Sequence, residues 1–442
     1  MHIEDFLRKN ATCFADKVAV YCEDEAITYS QLYAACLKRA KELALKGMQR
    51  GDIIPIKACP SIAYLIDYFS IHMNGGIVVP LEKDISEEQF QKYCKETRGC
   101  IVPQETADIL FTTGTTGKSK GVMISHDTIM ADAENLICAH GYTSNLTFII
   151  CGPLNHCGSW SKVFPCIVQG ATIILKDGIK DLNDFFQCIE SAATKVATFM
   201  VPSSLKIMMQ FDTKRLASCA QKIEFIETGG APMAPGDMLQ LCSLLQATRL
   251  YNTYASTESG IVSTHNFNDG KCIHGCVGHT MKHSSIQISA EGDILCSGRT
   301  LMLGYYNDKA LTEQVLKDGV LKMADRGFFD ESDMLHICGR NDDIINTGAY
   351  KVEPTEVENI ALELPYIMDC ICVAAPHPIL GSALKLLYVP RESNLIKKKE
   401  IALYIKSKLE AYKVPVIYEE VDKINLTYNG KKDRKSYRHH DL

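Results

Sequence analysis

Apolar and polar residues change their spacing repeatedly along the first part of the chain, and each spacing predicts one kind of element. Val18–Cys22 and Ala26–Tyr29 flank the polar stretch Glu23–Glu25, which predicts a β-hairpin. From residue 31 to 46, leucine and alanine recur mostly at three- and four-residue intervals, which predicts an amphipathic helix capped by Ser30. Further short apolar runs predict strands, most of them separated by helical stretches, at 52–57, 76–80, 107–111, 146–153, 171–175, 196–201, 222–227 and 248–251.

This alternation of strand and helix predicts the fold class α/β, with a large N-terminal domain of parallel-type sheets and covering helices. From Ile286 to Asp333 short strands and turns predict a β-rich subdomain. The sequence turns polar at 339–343, and the mixed pattern that follows has the length of an independent domain. We therefore predict an N-terminal domain at 1–340 and a small α+β C-terminal domain at 341–442.

Composition narrows the classes of protein. The 442 residues are 46% hydrophobic, as in a globular protein, and the net charge of −6 offers no basic excess for nucleic acid. Nineteen cysteines without paired spacing indicate reduced thiols and a cytoplasmic location. The N-terminus lacks the apolar core of a signal peptide, and polar residues interrupt the apolar segment 61–81, so we expect no membrane span.

The first stretch with candidate chemistry is Ile109–His126, in which an apolar strand runs into a loop of glycine and threonine followed by lysine. Small residues allow close approach to the main chain, whose N–H groups can form an anion cradle, so the loop predicts a phosphate site. It is not a Walker A loop, because Thr112 stands where that motif needs glycine. A flexible surface turn is the alternative. The loop itself comprises Thr112, Thr113, Gly114, Thr115, Thr116 and Gly117, with Lys118 and Lys120 after it.

Three further polar clusters follow predicted strands, where functional loops of an α/β domain lie. The first, Glu227–Pro232, is rich in small residues that let a flat ring lie against the main chain. The second, Tyr251–Glu258, crowds aromatic, amide, hydroxyl and carboxylate groups. The third joins Met323–Asp325 to Cys338–Asp343.

Taken in order, these motifs resemble those of the adenylate-forming (AMP-binding) superfamily, of the acyl-CoA synthetase type, over nearly the whole chain. Several positions depart from the family's motifs: Thr113 stands for serine, Ser119 for proline, Asn155 for an aromatic residue and Ala255 for glycine. The matching segments are Phe111–Gly121, Pro153–His156, Gly229–Pro232, Tyr254–Glu258, Met323–Asp325, Gly339–Asp342 and Asn429–Lys431.

The resemblance implies an ATP-dependent carboxylate–thiol ligase, which activates a carboxylic acid as acyl-adenylate, releases pyrophosphate and then transfers the acyl group to CoA. It implies catalytic roles for Lys431, Lys120 and Thr257, and Mg²⁺ binding by Glu258. The C-terminal domain would be a mobile lid that carries Lys431 and turns at Asp342, with Gly348 lining the pantetheine channel. The nucleotide would contact Thr112–Gly117, Lys120, Gly230, Ala231, Pro232, Asn252, Thr253, Tyr254, Ala255, Ser256, Thr257, Asp325, Arg340 and Lys431.

Several alternatives stay open at this point. The acyl acceptor is CoA or, as runner-up, the phosphopantetheine of an acyl carrier protein, and a catalytically silent nucleotide-binding scaffold is the rival from another class. His156, Gly229 and Gly230 are candidates for the acyl pocket, although a histidine of this kind is often only structural. Cys272–Cys276 with His279 lacks a second ligand pair for zinc. The basic tail is expected to be solvated surface around Lys431. The acid, fatty or aryl, is not specified.

Overall fold

A computed structural model describes residues 2–112, 119–270, 275–340, 343–347, 350–377, 381–391, 398–427 and 432–437. The helices are α1 Ile3–Cys13, α2 Tyr29–Leu45, α3 Ile62–Met73, α4 Glu87–Thr97, α5 His126–His140, α6 Cys157–Gln169, α7 Leu182–Ser191, α8 Pro202–Phe211, α9 Thr213–Ser218, α10 Pro235–Leu244, α11 Lys309–Val315, α12 Pro354–Leu362 and α13 Lys398–Lys408.

The strands are β1 Val18–Cys22, β2 Glu25–Thr28, β3 Ile53–Lys57, β4 Ile77–Leu81, β5 Thr106–Thr112, β6 Lys120–Ser125, β7 Leu146–Ile150, β8 Thr172–Leu175, β9 Lys195–Met200, β10 Ile223–Gly229, β11 Arg249–Ser256, β12 Gly260–Asn266, β13 Cys276–Thr280, β14 Ser284–Ile288, β15 Asp293–Gly298, β16 Gly304–Tyr305, β17 Leu316–Lys317, β18 Val320–Phe329, β19 Leu335–Arg340, β20 Ile345–Thr347, β21 Tyr350–Val352, β22 Ile367–His377, β23 Gly381–Pro390 and β24 Ile417–Glu420. The predicted α/β class is confirmed.

The largest sheet has the strand order β14-β15-β18-β19-β13-β12-β11-β10-β9-β7-β8-β1-β2, with β17 paired to β18. Its centre is parallel, since β8, β7, β9, β10 and β11 run in the same direction. From β11 to β14 the pairing is antiparallel. The predicted β-rich subdomain is present but extends beyond 286–333, because β13 and β19 belong to it as well. The central strands are apolar and buried, and α6 packs against β7, β8 and β9, as expected for a parallel sheet with covering helices.

A second sheet has the order β16-β6-β5-β4-β3. Its strands β3, β4 and β5 are parallel, whereas β5 and β6 are antiparallel. Ile53, Ile77, Val79 and Ile109 form part of its own buried cluster. The second sheet therefore has a buried core of its own.

Two local expectations are wrong. Thr28, not Ser30, caps α2, because its hydroxyl accepts a hydrogen bond from the Gln31 main-chain nitrogen at 3.3 Å. The polar clusters at 251–258 and 323–325 were expected in loops after strands, but β11 continues to Ser256 and β18 contains Asp325. Both strands keep pairing along this polar stretch, so hydrogen bonding of the main chain overrides the loss of apolar character.

The C-terminal part has its own sheet, β22-β23-β24, packed against α12 and α13 around a separate buried cluster. It contacts the preceding part where Lys206 Nζ donates to the Met368 carbonyl at 2.7 Å and where Arg326 lies 3.6 Å from Glu353. The boundary at 340/341 and the hinge at Asp342 stay predictions, and Asp342 lies outside the described residues. In the part of the chain that the structure describes, no helix combines the length and apolar character needed to cross a membrane.

Candidate active site

The site begins where the parallel strands β10 and β11 end side by side, with Gly229 opposite Thr253. A Cβ at Gly229 would lie 2.5 Å from the Thr253 carbonyl oxygen, so this approach of the two strands requires glycine. Gly230 follows with a φ of +79° and is exposed, and a Cβ added there would have no other atom within 4 Å. Ala231 and Pro232 continue the same edge. The two glycines therefore leave an open shelf of main chain beside β11.

Asp325 lies on β18 and contacts Tyr254, the residue that follows Thr253 on β11. Tyr254 donates its hydroxyl to Asp325 Oδ2 at 2.8 Å, and Arg340 Nε lies 3.6 Å from Asp325 Oδ1. The register of β18 and β19 places Asp325 opposite Arg340. Burial, followed by the Asp325 charge, raises the pKa of Tyr254, so its hydroxyl stays a donor. The result is an oriented carboxylate that can accept hydrogen bonds.

A second charged group lies beyond the end of β11. Glu258 Oε1 accepts a hydrogen bond from the Tyr305 hydroxyl at 2.9 Å, and Lys120 Nζ lies 5.5 Å from the centre of the Tyr305 ring. Burial and, to a smaller extent, the nearby Glu258 carboxylate raise the pKa of Tyr305. Tyr305 thus joins the predicted residues Glu258 and Lys120. Sequence reasoning missed it, although the aromatic pair after Gly304 was a visible signal.

The other predicted residues of β11 make contacts that stabilise the strand and the turn after it. Asn252 Nδ2 donates to the Cys276 carbonyl at 2.8 Å, which ties β11 to β13. Ser256 Oγ accepts from the Ser259 main chain at 3.0 Å and so shapes the turn that holds Thr257. Ala255, in place of the family's glycine, lies half-buried in the strand. Thr257 and Glu258 therefore lie in the turn directly after β11.

His156 occupies the N-cap position of α6 and is half-buried. Its carbonyl accepts from the Trp160 main chain at 2.9 Å, and its neighbour Cys157 lies with Sγ 4.0 Å from the Ser256 carbonyl. The start of α6 is therefore close to β11. A role for His156, Gly229 and Gly230 in an acyl pocket stays a prediction.

Sequence reasoning also missed a buried ion pair behind His156. Lys162, about one and a half turns further along α6, donates from Nζ to Glu227 Oε1 at 2.7 Å, and both residues are fully buried. The ring of Phe199 lies 5.1 Å from Lys162 Nζ. A lone lysine among the apolar residues of α6 was the available signal.

Several predicted residues lie outside the described ranges: Thr113, Gly114, Thr115, Thr116, Gly117, Lys118, Asp342, Gly348 and Lys431, together with Cys272 and His274 of the zinc alternative. Thr112 ends β5, where its hydroxyl donates to the Lys120 carbonyl at 3.5 Å, so the two ends of the loop face each other. Cys276 is buried against Met334, and His279 Nδ1 lies 3.1 Å from the Asp333 carbonyl.

The basic tail differs from the expectation of solvated surface. Arg434 forms two hydrogen bonds to Glu358, at 2.5 and 3.1 Å, and its side chain is only 12% exposed. Lys432 Nζ pairs with Asp369 at 2.9 Å. Burial alone would lower the pKa of both cations, but Glu358 outweighs it and raises them. The described tail is therefore anchored to the C-terminal part by one largely buried ion pair, Arg434–Glu358, and one partly exposed pair, Lys432–Asp369.

Comparison with known proteins shows the family to which this fold belongs. The chain belongs to the AMP-binding enzyme family, whose model matches residues 7–102 and 95–306, and the model of the AMP-binding enzyme C-terminal domain matches residues 356–431. The superfamily, and the enzyme class of AMP-forming acid–thiol ligases, were predicted correctly.

Named relatives align over nearly the whole chain. Feruloyl-CoA synthase from an Amycolatopsis species is 23% identical over 458 positions, which cover 92% of each protein. 2-Succinylbenzoate–CoA ligase from Bacillus subtilis is 23% identical over 482 positions, covering 97% of this chain and 96% of the relative.

Solved structures share the fold at low identity. ATP-bound MatB from Rhodopseudomonas palustris superposes with a TM-score of 0.87 at 20% identity, over 99% of both chains. The o-succinylbenzoate CoA synthetase MenE from Bacillus subtilis, in complex with its acyl-adenylate intermediate, gives a TM-score of 0.85 at 21% identity, over 99% of this chain and 98% of that one.

Proposed function

We propose that the protein activates a small carboxylic acid with ATP and transfers the acyl group to CoA. In the first step a carboxylate oxygen attacks the α-phosphorus of ATP, the bond to the bridging oxygen breaks, and pyrophosphate leaves. In the second step the CoA sulfur attacks the acyl carbon, the bond to the AMP oxygen breaks, and the thiol proton passes to solvent. Charge on phosphate oxygens has to be neutralised throughout the first step.

The observation that carries this proposal is the meeting of distant motifs at one edge. Asp325 contacts both Tyr254 and Arg340. Tyr254 follows Thr253, which pairs with Gly229, the residue before the exposed Gly230. The described residues fit a nucleotide: the shelf offers room for a flat base, and the Asp325 carboxylate suits the two hydroxyls of a ribose. Asn252, Thr253 and Ser256 belong to the same edge.

The phosphate side of the proposed site has the charges that it needs. Lys120 is a cation for phosphate oxygens, and Thr257 stands next to Glu258. Carboxylate oxygens are what Mg²⁺ prefers, so Glu258, oriented by Tyr305, would hold the ion, which supplies positive charge to the phosphates. Thr112–Gly117 and Lys431 complete the site in this proposal on the strength of the sequence motifs alone.

CoA is the preferred acceptor for two reasons. The segment Thr347–Pro354 resembles the form of this motif found in acyl-CoA ligases, in which the glycine and the proline are one residue further apart than in peptide synthetases. The named relatives are also CoA ligases or synthases. Transfer to the phosphopantetheine of a carrier protein is the second candidate, since both acceptors present the same thiol.

Hydroxylamine trapping of the adenylate across a panel of carboxylic acids tests the first step. We expect ATP- and acid-dependent hydroxamate, together with acid-dependent pyrophosphate exchange that Lys431→Ala slows by about a hundredfold or more. The adjacent Lys432→Ala is not a suitable control because Lys432 is engaged in ion pairs, whereas the exposed Lys435→Ala is. Exchange that is unchanged in Lys431→Ala would refute the assignment of Lys431.

The second step is tested by adding CoA or a phosphopantetheinylated carrier protein to the preformed adenylate. Thioester formed with CoA alone supports the proposal, and thioester formed with the carrier alone supports the second candidate. ATP binding without hydroxamate for any acid would instead favour a silent nucleotide-binding scaffold.

A further inference from the structure

The ion pair of Lys162 and Glu227 lies next to the proposed acyl pocket, where the function just proposed does not use it. Lys162 is 1% exposed and Glu227 is 0% exposed, and their charged atoms are 2.7 Å apart. Charged residues are seldom fully buried unless they are paired, because desolvation of each ion costs several kcal/mol. The pair therefore calls for a physical explanation at this position.

Phe199 connects this pair to the pocket. Its ring lies 5.1 Å from Lys162 Nζ, a distance typical of a cation–π contact. A Cβ at Gly158 would lie 2.8 Å from Cε1 of the ring, and a Cβ at Gly229 would lie 3.8 Å from Cε2. The ring thus stands between the first turn of α6, two residues after His156, and the end of β10.

A Cβ would be in ordinary contact with the ring at Gly229, whereas at Gly158 it would be too close to the ring. At Gly158 even a methyl group would collide with Phe199, so the ring fills the gap that the absent side chain leaves. Phe199 itself is only half-buried, so part of the ring faces open space. It therefore forms a wall with one side against the ion pair and the other toward the proposed pocket.

Behind the ring, the surroundings are polar and closed. His140 Nδ1 and Glu227 Oε2 lie 3.6 Å apart, and neither has a hydrogen-bond partner among the described residues. Burial lowers the pKa of His140, so its imidazole is neutral and leaves the charge of Glu227 to Lys162. An alkyl chain that displaced Phe199 would meet these polar atoms and would leave the ammonium without its aromatic contact.

We infer that Phe199, held by Lys162, is the residue that limits the length of the acyl group, and that the substrate is a carboxylic acid with a short or small acyl chain. The inference rests on the proposed function, because it takes the space between His156 and Gly229 as the acyl pocket. Lys162 and Glu227 are positioning residues in this arrangement, since they act on the substrate through the ring.

The test measures kcat/KM for hydroxamate formation with propionate, butyrate, hexanoate and octanoate. We expect the wild-type protein to prefer the shorter acids. We expect Phe199→Leu to raise the ratio of octanoate to propionate by about tenfold or more, since each methylene accommodated by an apolar pocket changes the rate by roughly tenfold or more. A matched control is Phe148→Leu, which removes the same atoms from a fully buried ring on the neighbouring strand β7. It should lower the melting temperature and leave the ratio unchanged.

The role of the ion pair is tested with Lys162→Met, which keeps the length of the side chain and removes its charge. We expect Lys162→Met to accept a wider range of acyl chain lengths and still to bind ATP, because the Phe199 ring loses its contact with the Lys162 ammonium. A Phe199→Trp variant should act in the opposite direction and narrow the preference further. Dicarboxylic acids are included in the panel, and a wild-type preference for them that Lys162→Met abolishes would overturn the inference, because Lys162 would then bind the substrate directly.

Binding of acyl-sulfamoyl-adenosines separates this inference from the proposed function. These unreactive mimics of the adenylate are compared with propionyl and octanoyl chains by calorimetry, so the result does not depend on turnover. If the wild type binds the propionyl compound more tightly and Phe199→Leu reverses this preference, the result supports Phe199 as the limit on acyl length, even if no acid is activated. If both proteins bind the propionyl and octanoyl compounds equally, Phe199 does not limit the acyl length, even if acids are activated.

Discussion

Tyr305 illustrates how one hydroxyl can orient the group on which metal binding would depend. It donates to Glu258 at 2.9 Å while its ring faces Lys120, so both charged residues of the proposed phosphate side meet at one aromatic side chain. A net hydrogen bond to a charged group is worth about 1.5–3 kcal/mol. Its loss would free the carboxylate to adopt other rotamers.

We therefore predict that Tyr305→Phe raises the Mg²⁺ concentration needed for half-maximal hydroxamate formation by about tenfold, the lower end of that energy range. At saturating Mg²⁺ the rate should recover most of its wild-type value, because Glu258 is still present. Tyr306→Phe is the control, since that hydroxyl donates to the Glu96 carbonyl at 3.3 Å, away from Glu258. An unchanged Mg²⁺ dependence in Tyr305→Phe would remove Tyr305 from the site.

At the scale of single residues, motif positions could be predicted and their supports could not. Asp325 and Glu258 stand in recognisable sequence surroundings, and the contact between Asp325 and Tyr254 agrees with their inclusion in one site. Phe199 and Lys162 lie in apolar stretches whose pattern indicates only a strand and a helix. Their importance depends on the packing of α6 against β9 and β10, which no local pattern specifies.

Among the elements, the C-terminal tail shows how buried charge can fix a segment that carries a proposed catalytic group. Arg434 and Glu358 form a two-point ion pair, and Lys432, one residue after Lys431 in the sequence, pairs with Asp369. Removal of one partner from a buried pair leaves the other uncompensated, at a cost of about 3–5 kcal/mol. The tail is thus held to β22 and α12.

We predict that Arg434→Met slows acid-dependent pyrophosphate exchange by about tenfold or more, because the segment directly after Lys431 in the sequence loses its anchor and misplacement of a catalytic group is costly. ATP affinity, measured by calorimetry, should stay within about twofold, since this pair lies in the C-terminal sheet. Lys435→Met, an exposed neighbour, is the control. Exchange at the wild-type rate in Arg434→Met would show that the anchor has no part in placing Lys431.

A second buried charge cluster joins three elements at the N-terminus. His72 on α3 contacts Glu4 of α1 through Nδ1 and Asp108 of β5 through Nε2, both at 3.0 Å. Burial alone would lower its pKa, but Asp108 and Glu4 outweigh it and raise the pKa of His72 to about 10. The imidazolium is therefore part of the folded structure at neutral pH.

The other groups that face His72 are consistent with this state. Tyr68 donates its hydroxyl to Asp108 Oδ2 at 2.5 Å, and Trp160 Nε1 donates to the same oxygen at 3.1 Å. The His126 ring lies 4.9 Å from the His72 ring, and burial together with the His72 charge lowers the pKa of His126 to about 3. His126 thus stays neutral and adds no second positive charge.

Because the folded pKa of His72 exceeds its unfolded value of about 6.5, protonation stabilises the fold, fully below about pH 6.5 and progressively less toward pH 10. We predict that the difference in unfolding free energy between wild type and His72→Gln is largest near pH 6 and shrinks toward pH 10. Urea titrations across this range measure it, with His279→Gln as control. A difference that stays constant or grows with pH would contradict the assigned protonation state.

The elements themselves were largely predictable, and their partners were not. Runs such as 196–201 and 222–227 are strands because they are short, apolar and bounded by polar residues. The sequence pattern does not contain the order β9-β10-β11 or the pairing of β13 with β19, because these contacts join distant segments. The polar stretch of β11 also shows that pairing can extend a strand beyond its apolar residues.

At the scale of the whole molecule, the family could be predicted because its motifs occur in a fixed order along the chain. The same order of motifs predicts the composite site, which stays a proposal. The contact of Tyr254 with Asp325 and the meeting of Lys120 with Glu258 at Tyr305 are consistent with it. The packing of the N-terminal and C-terminal parts against each other could not be predicted, since it depends on surface side chains that belong to no motif. Lys206 on α8 is one of these: it donates to the Met368 carbonyl and lies 3.9 Å from Asp237.

If the C-terminal domain turns between the two half-reactions, the Lys206–Met368 contact exists in only one of the two arrangements. We predict that Lys206→Ala changes the rate of pyrophosphate exchange relative to that of thioester formation by about threefold to tenfold, since one lost hydrogen bond is worth roughly 0.5–1.5 kcal/mol. It should also speed limited proteolysis between 340 and 350, because the domain is less firmly docked. Lys214→Ala, an exposed lysine on the adjacent helix α9, is the matched control. Wild-type proteolysis and an unchanged ratio of the two rates in Lys206→Ala would mean that this contact does not take part in the domain movement.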